Sequence, residues 1–294
     1  MERDPIVVGR FYQSDSAQLI SFLQNNLQVE EHEADCGKVA LVVPHAPYRQ
    51  CGFVMAQGYG YVRHFEVAVI LCPNHSGLGQ RASVAQYERW RCPIGRLDLD
   101  EALSFELVRE SRLLKFDNVA HEEEHAIEVQ IPILCHINPR IRIVPICLKM
   151  LSLPDCEEIA RALASAISRE RRRVIIIATS DLSHGEPFLV ALKNDRLVIE
   201  RVLHLDHQGL YQAVLEHNIS MCGLVPVVIC VAASKLLGAA RAYLLAYSTT
   251  AETNNDRSSV VGFTSIILTK KSLFRANTHL TNKWRTKQTS SNPP

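Results

Sequence analysis

Residues 174–184, Val-Ile-Ile-Ile-Ala-Thr-Ser-Asp-Leu-Ser-His, are the stretch that decides the fold. An uninterrupted apolar run rich in β-branched residues is typical of a strand that is covered on both faces of a sheet. The run ends at Thr179, and Asp181 and His184 follow it directly. The stretch therefore predicts a buried parallel strand with chemically active side chains at its carboxyl end.

Other apolar runs of strand length occur on both sides of this stretch and alternate with amphipathic segments of helical length. The predicted strands are Lys38–Pro44, Val67–Cys72, Ile141–Cys147 and Val174–Thr179, with closing strands at Arg241–Tyr247 and Ser259–Leu268. The predicted helices lie at about 15–27, 50–64, 100–112, 126–137, 155–171, 187–217 and 224–237. This alternation predicts an α/β fold: a single domain with a central mixed, largely parallel sheet flanked by helices.

The domain is expected to span residues 1–269, because no linker-like segment interrupts the alternation. Residues 270–294 are rich in Lys, Thr, Ser and Asn. Such a composition buries little apolar surface, so we expect a polar, disordered C-terminal tail.

The composition excludes several classes of protein. The 294 residues are 47% hydrophobic with a formal net charge of +1, which excludes a disordered chain and disfavours a nucleic-acid binder. No apolar stretch approaches 18 residues, so no membrane association is expected. The nine cysteines are odd in number and form no C-x-x-C pair, and the chain starts without an apolar leader. We therefore expect a cytoplasmic protein with mostly buried, free cysteines.

Three predicted strands end in front of a histidine. His45 follows the first strand, His75 follows the second, and Asp181 and His184 follow the fourth. Ligands of open α/β sheets bind beyond the carboxyl ends of the strands, so these four side chains are expected to meet in one site.

A cysteine in a polar turn and an acidic segment add to this set. Cys222 stands in Met-Cys-Gly, where a thiol is accessible enough to react or to bind a metal. The segment 121–128, His-Glu-Glu-Glu-His-Ala-Ile-Glu, carries two histidines and four carboxylates. We predict that Glu122–Glu124 form the N-terminal turn of a helix, where carboxylates favour the helix dipole.

Two hydrolase motifs compete with a redox metal site. His121 to His125 matches the H-E-x-x-H pattern of zinc peptidases, which requires one continuous helix. Ser180, Asp181 and His184 suggest a nucleophilic triad, but they crowd one tight loop. Both motifs lack their usual context, and we rank them below the metal site.

Seven short segments resemble, in the same order, the Memo family, whose members are structurally related to class III (LigB-type) extradiol dioxygenases. The resemblance covers roughly residues 5–268. The segments are Val8-Gly9-Arg10-Phe11-Tyr12, Pro44-His45-Ala46-Pro47-Tyr48 with Cys51-Gly52, Pro73-Asn74-His75-Ser76-Gly77, His125-Ala126-Ile127-Glu128-Val129-Gln130, Thr179-Ser180-Asp181-Leu182-Ser183-His184, Cys222-Gly223 with Pro226, and Ser258-Ser259-Val260-Val261-Gly262-Phe263.

The resemblance implies a metal pocket whose ligands, by motif position, are His45, His75 and Cys222. It also implies catalytic roles for four further residues. His184 stands where the related dioxygenases carry a catalytic histidine, His125 would donate a proton or bind an oxyanion, and Asp181 and Glu128 would orient other groups. The related enzymes hold iron(II) on two histidines and a carboxylate. A thiolate is a softer ligand, so we expect one transition-metal ion, iron or copper ahead of zinc.

One residue departs from the family pattern. The family usually has glycine where this chain has Pro47, and proline fixes φ near −65° and removes an N–H group. We expect His45 to keep its place while the pocket beside it changes shape.

Two functions follow from the resemblance. The first is a metal-dependent, dioxygenase-like oxidoreductase of unknown substrate; the second is a non-catalytic module that binds metal or a peptide. The expected ligand is a small molecule or peptide in the metal pocket. Memo-like proteins of prokaryotes are often encoded beside a radical-SAM enzyme and an AMMECR-type protein, which implies these as pathway partners.

Overall fold

The computed structural model describes residues 1–27 and 37–273. Of the predicted C-terminal tail, residues 274–294 lie outside this range. None of the helices in the described part of the chain has the length and apolar character needed to cross a membrane.

Twelve strands and ten α-helices make up the described chain. The strands are β1 Glu2–Arg3, β2 Lys38–Val43, β3 Val67–Pro73, β4 Ala82–Val84, β5 Arg89–Cys92, β6 Gly95–Asp98, β7 Lys115–Phe116, β8 Arg142–Leu148, β9 Val174–Thr179, β10 His184–Glu186, β11 Arg241–Thr249 and β12 Val260–Thr269. The helices are α1 Ser16–Asn26, α2 Tyr48–Tyr59, α3 Glu101–Glu110, α4 Val119–Glu122, α5 Ile131–Ile137, α6 Leu153–Arg169, α7 Phe188–Leu203, α8 His207–Glu216, α9 Leu224–Leu236 and α10 Ala251–Asn254. A single 3₁₀ turn, Glu128–Gln130, precedes α5.

A nine-stranded sheet forms the centre of the fold, in the order β10-β12-β2-β9-β3-β8-β4-β7, with β11 paired to β12. Its middle is parallel: Ile176 of β9 is in register with Ala40 of β2 on one side and with Val69 of β3 on the other. On one side β12 pairs antiparallel with β2, β10 and β11, and on the other β4 pairs antiparallel with β8 and parallel with the edge strand β7. The predicted α/β fold with a mixed, largely parallel sheet is confirmed.

The parallel strands are buried on both faces, as their continuous apolar runs predict. Leu41 and Ile177 point into one core cluster, which α2 and α5 cover. Val42 and Ile176 point into the other, which α6 and α9 cover. Alternate residues of one strand thus pack into opposite apolar cores. Polar side chains are therefore expected where the strand ends.

Two helix predictions are wrong in their bounds. The predicted helix at 187–217 is two helices, because Leu205 takes a positive φ of 54° and Asp206 caps α8 by accepting from the Gly209 amide. The predicted helix at 126–137 starts as α-helix only at Ile131. The sequence analysis also missed a separate three-stranded sheet, β1-β5-β6, whose strands are two to four residues long.

Helix α2 approaches the sheet most closely at Gly58. A Cβ there would clash with Ser265 Oγ and lie 2.8 Å from Leu41 Cδ1. We predict that Gly58→Ala lowers the free energy of unfolding by about 1–2 kcal/mol, since overpacking outweighs the helix propensity gained. Chemical denaturation measures this. The matched control is Gly52→Ala in the same helix. A Cβ at Gly52 meets the ring edge of Phe22, which is half-buried and can move. A stabilised Gly58→Ala protein would contradict the packing described.

Candidate metal centre

Three histidines form one cluster at the carboxyl edge of the parallel strands. His45 follows β2, His75 follows β3, and His125 comes from the loop after α4. One ring nitrogen from each lies within 4.8 Å of the other two. The ring centroids of His45 and His75 are 5.1 Å apart, and those of His75 and His125 are 4.9 Å apart. Because β9 separates β2 from β3, the loop after β9 lies between the first two histidines.

His45 is the buried member of the cluster, with 2% of its surface exposed. Its backbone amide donates to Asp181 Oδ1 at 2.9 Å, and its Nδ1 lies 3.0 Å from Thr179 Oγ1. The other ring nitrogen, Nε2, lies 3.2 Å from Cys222 Sγ. Burial, together with the neighbouring imidazoles of His75 and His125, holds the pKa of His45 well below its usual value. The imidazole is therefore neutral, as a metal ligand must be.

His75 is held by a buried carboxylate. Glu124 accepts from the His75 backbone amide at 2.6 Å, and its Oε1 lies 3.0 Å from His75 Nδ1. The amide of Ala126 donates to the same carboxylate. Burial alone would raise the pKa of Glu124, but the hydrogen bond and charge of His75 lower it to about 2. A carboxylate on Nδ1 leaves Nε2 to face a ligand, the arrangement found behind metal-bound histidines.

The position of Glu124 corrects the sequence analysis. Residues Glu122–Glu124 were expected to open a helix, but α4 ends at Glu122 and the chain turns inward. Glu124 is 1% exposed, so it is a buried partner of the site and no part of a solvated acidic face. A run of three glutamates does not show which of them is buried. The one available sign in the sequence was His125, which directly follows Glu124.

Cys222 reaches the cluster because a glycine follows it. The Gly223 amide donates to Ser180 Oγ at 3.0 Å, and a Cβ on Gly223 would lie 2.5 Å from the Thr179 carbonyl oxygen. Only glycine therefore lets the start of α9 rest against the end of β9. Burial raises the pKa of the Cys222 thiol; a bound cation is what makes such a thiol ionise.

His184 and Asp181 stand together at the rim of the cluster. The Nδ1 of His184 lies 2.9 Å from the Ser220 carbonyl oxygen, which directs Nε2 toward Asp181 Oδ2 at 4.0 Å. The side chain of His184 is 39% exposed, whereas that of Asp181 is 7% exposed. Burial raises the pKa of Asp181, although the His45 amide opposes this. Ser220, which fixes the His184 ring, was not anticipated from the sequence.

Glu128 lies behind the site, against the N-terminal segment. Its carboxylate accepts from the amides of Ile6 and Val7 and from the Tyr12 hydroxyl, between 2.8 and 3.0 Å. This anchors the segment that places the Phe11 ring 4.7 Å from the His125 ring. Glu128 was expected to orient other groups of the site, and its hydrogen bonds are to the N-terminal segment that carries Phe11 to the His125 ring.

The two hydrolase motifs do not assemble. His121 is fully buried, with its Nε2 3.2 Å from the Ser83 carbonyl oxygen, and α4 ends before His125. The H-E-x-x-H pattern is therefore not on one helix. Ser180 is also buried, and its hydroxyl donates to the Asp181 carbonyl at 2.6 Å, so it is not activated by His184.

The residues present fit a transition-metal ion. The donors are imidazole nitrogens and one sulfur, which suit iron, copper or zinc and not magnesium or calcium. His45 and His75 each have Nδ1 engaged by a second group, Thr179 or Glu124. Pro47 lies at the N-terminal cap of α2 with φ −55°, an ordinary value for proline.

Comparison with known proteins gives one consistent result. The family model described as Memo-like protein matches residues 3–267. A MEMO1 family protein of Methanopyrus kandleri is 35% identical over 91% of this chain and 99% of its own length. One of Methanocaldococcus jannaschii is 36% identical over 90% and 98%. The solved structure of an uncharacterized Escherichia coli K12 protein covers 78% of this chain and 99% of its own, with a TM-score of 0.52 and 14% identity, which is a likeness of fold.

The burial of His121 makes stability depend on pH. Burial lowers the pKa of His121 from 6.5 to about 4, with the Ser83 carbonyl only partly opposing it. The unfolded chain therefore takes up a proton near pH 6.5 and the folded chain does not. We predict that this residue alone removes up to about 3 kcal/mol of stability as pH falls from 6.5 to 4.

Denaturation curves of the native protein and of His121→Phe across this pH range measure the effect. Because His45 and His125 also titrate in the folded protein with lowered pKa values, the difference between the two proteins isolates His121. If the free energy of unfolding of the native protein and of His121→Phe changed equally with pH, a buried, neutral His121 would be contradicted.

Proposed function

The chain belongs to the Memo family, and from that premise and the geometry of the histidine cluster we propose a metal-dependent oxidoreductase that holds one transition-metal ion on His45, His75 and Cys222. The observation that supports it most is the placement of Cys222 Sγ 3.2 Å from His45 Nε2, because His45 belongs to the cluster in which one ring nitrogen each of His45, His75 and His125 lies within 4.8 Å of the other two.

The ligand assignment follows from which ring nitrogens have other partners. The Nδ1 atoms of His45 and His75 are engaged by Thr179 and Glu124, so their Nε2 atoms are the ligands. Cys222 supplies the third donor as a thiolate. His125 shares Glu124 less closely, with Nδ1 3.4 Å from Oε1. We therefore assign it the role of donating a proton to the substrate or binding its oxyanion.

The thiolate decides which metal is expected. Two imidazoles with a carboxylate would favour iron(II), while sulfur moves the preference toward softer ions. We propose iron or copper ahead of zinc. When bound, such an ion supplies Lewis acidity and one-electron redox chemistry.

Proton transfer is assigned to His184. Its Nδ1 is fixed by the Ser220 carbonyl, and its Nε2 faces Asp181 at 4.0 Å. Because its side chain is 39% exposed, a substrate that enters the cluster meets it first. Asp181 accepts a hydrogen bond from the His45 amide, and its second carboxylate oxygen faces His184, so we assign it the role of orienting the proton carrier next to a metal ligand.

The alternative is a non-catalytic module that binds metal or a peptide. It requires the same ligands and no proton carrier. The two functions therefore differ in what His184 does and agree on His45, His75 and Cys222.

We predict one bound metal ion per chain, lost in either His75→Ala or Cys222→Ala. Each substitution removes one of three donors, so occupancy falls well below one. Glu124→Gln keeps all three donors and is expected to weaken affinity by roughly 10- to 100-fold. Elemental analysis after anaerobic purification gives the occupancy, and metal titration gives the affinity.

His121→Phe is the matched control, because His121 is a buried histidine in α4, shortly before Glu124 and His125, and belongs to the rejected zinc motif. It is expected to keep full occupancy. Full occupancy in His75→Ala and Cys222→Ala would show that the ligand set is wrong.

We further predict that His184→Ala keeps the metal and loses turnover by roughly 10²- to 10⁴-fold, the usual contribution of a proton-transfer group. Dioxygen consumption by the metal-loaded protein with a panel of catechols measures this. Loss of the metal would make His184 a ligand. Consumption by the native protein no faster than by the metal-free protein would favour the binding module.

A further inference from the structure

Two cysteines outside the metal centre have their sulfur atoms close together. Cys92 ends β5 and Cys135 lies in α5, 43 positions later. Their Sγ atoms are 3.6 Å apart, and both residues are free thiols. The contact joins the small sheet β1-β5-β6 to the helix that covers the main core.

The surroundings of Cys92 favour its thiolate. The hydrogen bond with Cys135 lowers the pKa of Cys92, burial opposes this, and the amides of Ile94 and Gly95 in the following turn lower it further. The same contact and burial raise the pKa of Cys135. The two thiols share one hydrogen-bond contact, so ionisation of one sulfur leaves a proton on the other beside it.

The other buried cysteines in the described ranges differ from this pair. Cys72 and Cys147 are neighbours in register on β3 and β8, but burial and the hydrogen bond with Cys147 raise the pKa of Cys72 well above its usual value, and both side chains are fully buried. Burial also raises the pKa of Cys156 and of Cys230 to about 12. Buried thiols of this kind are inert, whereas a low-pKa thiol next to a second thiol is typical of redox-sensitive cysteines.

Cys92 is slightly exposed to solvent. Cys92 is 9% exposed, and Gly95, which follows the two-residue turn after it, is exposed at the surface. Because so little of Cys92 is exposed, the oxidant that fits this position best is a small one.

From this arrangement we propose that Cys92 and Cys135 form a redox-active dithiol that reduces a small hydroperoxide and closes to a disulfide. The proposal does not rest on the metal centre, whose ligands are other residues.

The chemistry balances without a further reagent. The Cys92 thiolate attacks the terminal peroxide oxygen, the O–O bond breaks, and Cys92 becomes a sulfenic acid as the alkoxide or hydroxide takes up the proton that Cys92 released. The Cys135 sulfur then attacks the Cys92 sulfur, the S–O bond breaks, and water leaves with the Cys135 proton. Two thiols and one hydroperoxide give one disulfide, one water and one alcohol, or a second water from hydrogen peroxide.

Closing the bond requires little movement. An S–S bond is about 2.05 Å long, so the sulfur atoms approach each other by about 1.5 Å. Cys92 adjoins a turn at the end of a short strand and can supply most of that shift. The bond would fasten the β5–β6 hairpin to α5, which continues from the Glu128–Gln130 turn just after His125.

The test uses the reduced full-length protein and hydrogen peroxide. After treatment, free thiols are alkylated under denaturing conditions and the peptides are mapped by mass spectrometry. The expected result is one cross-linked peptide pair that contains Cys92 and Cys135, with Cys51, Cys72, Cys147, Cys156 and Cys230 still alkylated as thiols. Cys36 and Cys222 are followed by their own peptides, so their oxidation is distinguished.

Variants separate the role of Cys92, which attacks the peroxide, from that of Cys135, which closes the disulfide. In Cys135→Ser, dimedone is expected to label Cys92, because its sulfenic acid has lost its partner. In Cys92→Ser, Cys135 is expected to remain a thiol and the cross-link to be absent. Cys156→Ser, which alters an unpaired buried cysteine, should form the cross-link at the native rate. Separate, fully alkylated Cys92 and Cys135 in the oxidised native protein would overturn the proposal whether or not any variant folds, and so would a dimedone label on Cys135.

Discussion

The parallel pairing of β2, β9 and β3 is the constraint on which the rest of the structure depends. This pairing places the carboxyl ends of the three strands side by side at one edge of the sheet. The residues that follow these ends therefore lie close together: His45, Asp181 and His75. Both faces of these strands are filled by apolar side chains, which confines the polar groups to the strand ends. The site exists because the sheet leaves no other place for them.

The cluster is held in place by partners that are themselves buried. Glu124 fixes His75, Thr179 fixes the ring of His45, and Gly223 brings Cys222 within reach. The partners of His45 and His75 engage Nδ1 and leave Nε2 of each ring available, the arrangement found behind metal-bound histidines. His184 is the more exposed side chain at the rim of the cluster.

Sequence patterns predicted the long parallel strands and the strand-end residues, because continuous apolar runs and the polar residues that follow them are local signals. They did not predict β4, β5, β6 or β7, since two to four residues carry no usable period. Glu124 was also missed: three consecutive glutamates have the composition of a surface, and burial of one depends on a histidine 49 positions away. The same holds for Cys92 and Cys135, whose contact exists only after the small sheet docks against α5.

The central claim is that the edge of the parallel sheet holds a metal ion between His45, His75 and Cys222. A crystal structure of anaerobically prepared protein, with anomalous scattering measured at the absorption edges of iron, copper and zinc, tests it most directly. The account predicts one strong peak about 2.0–2.1 Å from a ring nitrogen of each histidine and about 2.3 Å from the sulfur. A metal peak that lies elsewhere, with these three side chains uncoordinated, would contradict it.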